Sequence, residues 1–188
     1  MRVVTLNERD FYTACHSLEE TVAKDYAPDL IIGIATGGEF VASCMFADIP
    51  HRSIRRHRPS TADKEHAGIV FRILRRSPRF ISDMLRIVEA RLLALRKPSG
   101  TIEPVTPDEK TAAAIASARR VLVVDDATDS GATLKAVTDG IRAVPGEREV
   151  RSAVVTVTTS SPIIMPDYTL HHDSTLIRFP WSKDYYPL

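Results

Sequence analysis

The segment Val121-Leu122-Val123-Val124-Asp125-Asp126-Ala127-Thr128-Asp129-Ser130-Gly131-Ala132-Thr133-Leu134 constrains this chain more than any other. Four consecutive apolar residues with no helical spacing predict a strand buried on both faces, as in a parallel sheet covered by helices. Asp125 and Asp126 then stand at the carboxyl end of that strand, which in open α/β sheets is where ligands bind. A turn of small hydroxyl residues follows, with Thr128, Ser130 and Thr133 around Gly131. The helix predicted to begin there offers free N–H groups and the positive end of its dipole, which together suit a phosphate monoester. One short segment thus sets acceptors for vicinal hydroxyls beside donors for a phosphate. A ribose 5-phosphate has that outline.

The rest of the chain alternates in the same way. Thr5 with Glu8, or Asn7 with Asp10, is placed to cap a helix running through Leu18 and Val22 and ended by Pro28. Leu30 to Ile34 reads as a second buried strand, broken by Thr36-Gly37-Gly38, with a helix expected from Phe40 to Phe46. Thr106 is expected to cap a helix with Pro107 at its first position, Asp108 and Glu109 in its first turn and Ala112 to Ala118 as its body. A helix over Leu134 to Ile141 and a Val- and Thr-rich strand over Val150 to Thr158 follow. Tyr168 to Leu170 and Leu176 to Phe179 read as short terminal strands. Strands alternating with helices imply an open, mostly parallel α/β sheet flanked by helices, and 188 residues fit one such domain.

Charge is informative in its distribution. Lys plus Arg is 25 and Asp plus Glu 24, a net +1 that gives no global pull toward nucleic acid or an anionic membrane. From His51 to Arg79, however, nine Lys or Arg face only Asp63 and Glu65. That run reads as a solvated face or as an arm serving a polyanionic small ligand; nucleic acid ranks third, for want of interleaved aromatics. A helix is expected from Phe80 to Leu95, with a wide apolar stripe that suits core packing or an oligomer contact. Cys15 and Cys44 form neither a zinc pattern nor a disulfide framework and read as small buried hydrophobes. His171 and His172, adjacent on a strand, point to opposite faces and read as surface residues rather than as metal ligands. The charged N-terminus is unlike a signal peptide, and no run approaches the roughly 18 apolar residues of a membrane span, so a soluble cytoplasmic protein is expected.

At every position the 121–134 segment resembles the phosphoribosyl-pyrophosphate (PRPP) signature of the type I phosphoribosyltransferases. Leu30 to Gly38 resembles that family's pyrophosphate loop, and Leu176-Ile177-Arg178-Phe179-Pro180-Trp181 resembles the hood strand of bacterial xanthine-guanine and hypoxanthine members. The resemblance implies transfer of a phosphoribosyl group from PRPP to a nucleobase in purine salvage, with Mg²⁺ as cofactor and a homodimer or homotetramer as the assembly. It implies a lid insertion over about 52–105, which matches nothing in the family, and a hood over about 159–188. Asp125 and Asp126 would bind the ribose hydroxyls and, through substrate oxygens and water, the metal. Thr128, Asp129, Ser130, Gly131 and Thr133 would surround the 5-phosphate. Thr36, Gly37 and Gly38 would hold the pyrophosphate, after a cis peptide at Ala35–Thr36. Leu176 and Ile177 would meet the base, and Asp129 would be the general base that marks a 6-oxopurine acceptor.

Three positions depart from the family. Thr158-Thr159-Ser160-Ser161 stands where 6-oxopurine enzymes carry a Lys, Leu176 where an aromatic stacks on the purine, and Thr36 where many members have Lys or Arg. Acceptor identity is therefore open between a 6-oxopurine and another base, with a non-catalytic PRPP sensor as the further alternative. Phospho-acceptor receivers also carry paired acids after an apolar run, but near the chain start and without the Ser-Gly-Ala-Thr continuation. Trp181 packs the hood or reaches the base, packing being the favoured reading.

Overall fold

The computed structural model describes residues 2–56, 101–172 and 175–182. The helix expected from Phe80 to Leu95, and the part of the expected 52–105 lid between 57 and 100, lie outside them.

Strand β1 (Arg2–Thr5) leads into helix α1 (Glu8–Ala23). Of the two possible caps Asn7 is the one used: its side-chain oxygen accepts the Asp10 N–H at 2.9 Å. Phe11, Cys15, Leu18 and Val22 form the buried face of α1 at helical spacing. Strand β2 (Leu30–Ile34) is buried throughout. Helix α2 (Gly37–Ser43) starts three residues earlier than expected and ends with Cys44 as its cap, short of Phe46, which takes φ +48°. The early start follows from β4, against which the two glycines at the head of α2 lie. The basic stretch opens with a short strand that its composition did not announce, β3 (His51–Ile54), of which only Ile54 is buried.

Helix α3 (Glu109–Ser117) is capped by Asp108, not by Thr106. A carboxylate outcompetes the upstream hydroxyl because its two oxygens accept the Thr111 N–H at 3.0 Å and the Thr111 hydroxyl at 2.9 Å. Strand β4 (Arg120–Thr128) runs on past its apolar core through both carboxylates. The equally long β5 (Glu149–Val157) supplies its ladder partners as far as Thr128. Helix α4 (Ala132–Ala143) lies between them in sequence, and β6 (Tyr168–His171) and β7 (Thr175–Arg178) follow.

Five strands form a wholly parallel sheet in the order β3-β2-β4-β5-β6, while β1 and β7 form a separate parallel pair. The segment expected as a hood therefore divides: β6 extends the main sheet and β7 pairs with β1. The Thr156 hydroxyl links the two sheets by donating to the Thr175 carbonyl at 2.7 Å. Period-two alternation sorts the core. Ile31, Leu122, Val124 and Val155 pack with α1, α2 and the Ile177–Phe179 segment. Leu30, Ile32, Val121, Val123 and Val154 pack with α3 and α4. After β2 the chain builds β3 on one side and later β4 on the other. The carboxyl ends of β2 and β4 thus flank the crevice where the winding reverses, the usual ligand site of open α/β sheets. Among the described residues no helix is long and apolar enough to cross a membrane.

Candidate active site

The crevice between β2 and β4 opens into a cleft of about 430 Å³. Ile34, Ala35, Thr36 and Gly37 line it from the β2 side, Asp125, Asp126, Ala127, Asp129 and Thr133 from the β4 side, and Arg56 from the chain after β3. The Ala35–Thr36 peptide is cis, as the resemblance implied.

The two walls touch. A Cβ on Gly37 would overlap the Asp126 carboxylate, and one on Gly38 would meet the Val124 carbonyl and come within 2.8 Å of the Asp125 Cα. The glycine pair is thus required by the approach of α2 to β4, before any ligand is considered. Gly131 takes φ +77° as the N-cap of α4, a left-handed conformation that turns the chain from β4 into the helix. The Ser130 hydroxyl accepts the Ala132 N–H at 3.4 Å, and the Ser130 carbonyl accepts the Ile163 N–H at 2.8 Å.

The paired acids are differently held. Asp125 Oδ1 accepts the Asp126 N–H at 2.9 Å, and Asp126 Oδ1 accepts the Ala127 N–H at 2.8 Å. Burial pushes the Asp126 carboxyl above the usual carboxylate range, against the Ala127 N–H, which favours its charged form. Asp129 stands one turn further along, and its Oδ1 accepts the Thr158 hydroxyl. Thr158, buried at the end of β5, also donates its N–H to the Thr128 carbonyl at 3.0 Å, so β5 fixes both the turn and its carboxylate.

Of the residues the sequence singled out, the cleft brings together Thr36, Gly37, Asp125, Asp126, Asp129 and Thr133. Gly38, Ser130 and Gly131 stand immediately behind this lining. Thr128 is buried, its hydroxyl without a hydrogen-bond partner. Leu176 and Ile177 are buried on β7 opposite Val3 and Val4 and do not line the cleft. Two contributors were not singled out by sequence reasoning. Arg56 was one among nine basic residues, and only the short β3 aims it at the cleft. Thr158 registered as a missing lysine rather than as a donor to Asp129. Trp181 packs against Phe11, Phe40 and Phe179, the favoured of its two readings.

The phosphoribosyl transferase domain family matches residues 6–183, and the chain belongs to that family. Its activity is that of a phosphoribosyltransferase, with PRPP and a base as small-molecule substrates. A purine phosphoribosyltransferase from Pyrococcus horikoshii is similar at 25% identity and a TM-score of 0.61, covering 100% of this chain and 98% of its own. A xanthine-guanine-hypoxanthine phosphoribosyltransferase from Helicobacter pylori shares the fold at 16% identity and a TM-score of 0.56, covering 96% and 90%. So does a Neisseria gonorrhoeae protein with bound ppGpp, at 17% and 0.56, covering 96% and 89%. No curated protein sequence matches this chain.

Proposed function

We propose that the chain transfers the 5-phosphoribosyl group of PRPP to a ring nitrogen of a 6-oxopurine, releasing pyrophosphate. The observation that carries this reading is the Asp129 carboxylate, held by Thr158 in the same cleft as the Asp125–Asp126 pair and the Thr36–Gly37 turn. The purine-acting relative at 25% identity is consistent with it.

In this reading Asp125 and Asp126 accept hydrogen bonds from the two ribose hydroxyls. The amides and hydroxyls at the head of α4 hold the 5-phosphate. Arg56 and the amides at the start of α2 face the diphosphate. Asp125 and Asp126, side by side at the carboxyl end of β4 and lining the cleft, are the residues that would hold Mg²⁺. Two carboxylates fit an ion that keeps most of its ligands as substrate oxygens and water. When bound, Mg²⁺ supplies charge neutralisation at the diphosphate. As the bond from the sugar's anomeric carbon to pyrophosphate breaks, the purine nitrogen attacks that carbon, and Asp129 takes the proton that the purine ring loses. The Thr158 hydroxyl orients that carboxylate. The protein's contribution is positioning and charge stabilisation.

A pyrophosphate-release assay with PRPP, Mg²⁺ and a panel of bases tests this. Release is expected with hypoxanthine, guanine or xanthine. In Asp129→Asn it should fall by about 10²-fold or more, the usual contribution of a positioned base, with PRPP affinity retained. Thr158→Val should lower turnover several-fold. Release with a different base overturns the 6-oxopurine assignment. No release with any base, despite tight PRPP binding, overturns catalysis in favour of a sensor.

A further inference from the structure

The loop from the end of β5 to the start of β6 lies behind the cleft; none of residues 158–167 lines it. It meets the turn between β4 and α4 twice. At its start the Thr158 N–H donates to the Thr128 carbonyl at 3.0 Å, and the Thr158 hydroxyl donates to Asp129. At its middle the Ile163 N–H donates to the Ser130 carbonyl at 2.8 Å. There the two backbones are in contact: a Cβ on Gly131 would lie 3.0 Å from both the nitrogen and the carbonyl oxygen of Ile164. The loop is itself anchored. Ile164 packs against the α3–α4 core, and the Asp167 carboxylate accepts the Ser152 N–H at 2.7 Å and the Ser152 hydroxyl at 2.8 Å. The Ile163 side chain, by contrast, is 45% exposed, so packing does not account for its place and its N–H does.

The Thr128 and Ser130 carbonyls share their peptide planes with the Asp129 and Gly131 N–H groups. Both peptides are trans; the only cis bond among the described residues is Ala35–Thr36. In a trans peptide the carbonyl and the N–H point in opposite directions. Holding those two carbonyls against the loop therefore turns the two amides away from it.

We propose that the Thr158–Asp167 loop is a positioning strap for the phosphate-binding turn, with the Ile163 N–H as its central contact. By holding alternate carbonyls of the turn it fixes the Asp129 and Gly131 amides, and the head of α4 that follows them, before an anion arrives. Donors ordered in advance lose less on binding than donors that the ligand must order. This rests on the reading above that the head of α4 holds the 5-phosphate. It adds a consequence of its own: the strap governs the phosphate-monoester half of the substrate and not the diphosphate half, which meets α2 and Arg56.

The test uses the full chain with ribose 5-phosphate and magnesium pyrophosphate as separate probes, their binding measured calorimetrically beside thermal melting and steady-state kinetics. Ile163→Pro removes the N–H and sets ring carbons against the Ser130 carbonyl. Ile163→Ala keeps the N–H, and Thr133→Val removes a hydroxyl at the head of α4. Ile163→Pro should bind ribose 5-phosphate roughly tenfold more weakly than Ile163→Ala, the order expected for loss of one hydrogen bond that orders donors to a charged group. The two variants should bind pyrophosphate equally, and KM for PRPP should rise in Ile163→Pro while KM for the base stays. If Ile163→Pro does not fold, Ile164→Ala carries the same comparison against the wild type, because it frees the strap from the core and keeps its N–H groups. Equal binding of ribose 5-phosphate with and without the N–H overturns the strap. So does an equal loss of both probes, the mark of a general loosening. If Thr133→Val weakens ribose 5-phosphate and Ile163→Pro does not, the 5-phosphate assignment survives without the strap. If neither weakens it, that assignment falls and the strap falls with it.

Discussion

Replacing Gly37 and Gly38 separately by alanine should separate the function of this cleft from its stability. The two sites are neighbours at the start of α2, and both would gain helix propensity, about 1 kcal/mol for Gly to Ala in a helix interior. What their new methyl groups meet is different. At Gly38 the methyl overlaps the Val124 carbonyl and lies 2.8 Å from the Asp125 Cα, so a central strand or the helix must shift. Overpacking of that kind costs about 1–3 kcal/mol, and contact with backbone belongs at the upper end. Net of propensity, Gly38→Ala should lose about 2 kcal/mol, or about 4–8 °C in Tm for a chain of this size. At Gly37 the methyl meets a side chain, overlapping the Asp126 carboxylate and lying 2.6 Å from its Oδ1. Rotation of that carboxylate relieves the clash, leaves the backbone in place and breaks the hydrogen bond from the Ala127 N–H. Gly37→Ala should therefore melt within about 2 °C of the wild type, because gained propensity offsets much of the lost bonding. Its KM for PRPP should rise tenfold or more. Scanning calorimetry and PRPP-dependent pyrophosphate release measure both. Two variants that melt higher than the wild type and keep its KM would refute the reasoning, since the walls would then not be in contact as described.

Two further outcomes follow from single residues. Hydrogen bonds from the Thr111 N–H and hydroxyl hold the Asp108 carboxyl below the usual carboxylate range. Its folded pKa lies below the unfolded one, so its stabilisation is present above the ordinary carboxylate range and is lost as pH falls through the lowered value. Asp108→Ala should lower Tm at neutral pH, and the gap should close on acidification; a gap independent of pH would sink the capping argument. The thiols should also differ. Cys15 is fully buried, and burial pushes its thiol far above the ordinary range, whereas Cys44 is partly exposed. Titration of the native protein with a thiol reagent should give one equivalent promptly and the second only on unfolding; two prompt equivalents would refute the burial of Cys15.

The buried strands, the switch to helical period and the acid-rich turn after β4 were legible in the sequence because each is written in contiguous residues. Four apolar residues in a row, bounded by turn residues, suit a strand covered on both faces, and Gly131 supplies the positive φ that turns β4 into α4. The same locality explains the errors. Thr106 and Asp108 are both capable caps, and the choice fell to the residue whose oxygens reach Thr111. β4 looked four residues long until β5 offered ladder partners for its charged end. β3, polar on most of its length, became a strand only because β2 presents a free edge to it.

By itself, then, the sequence determined an α/β chain with paired acids, a phosphate-binding turn and a glycine pair, since those properties depend on neighbours along the backbone. Only the tertiary structure decided that Gly37 abuts Asp126, that Arg56 lines the cleft, and that Thr158 serves Asp129. Those relations come from the order in which parallel strands are laid side by side. Strand order brings distant residues within hydrogen-bond reach, and no local period along the chain encodes it.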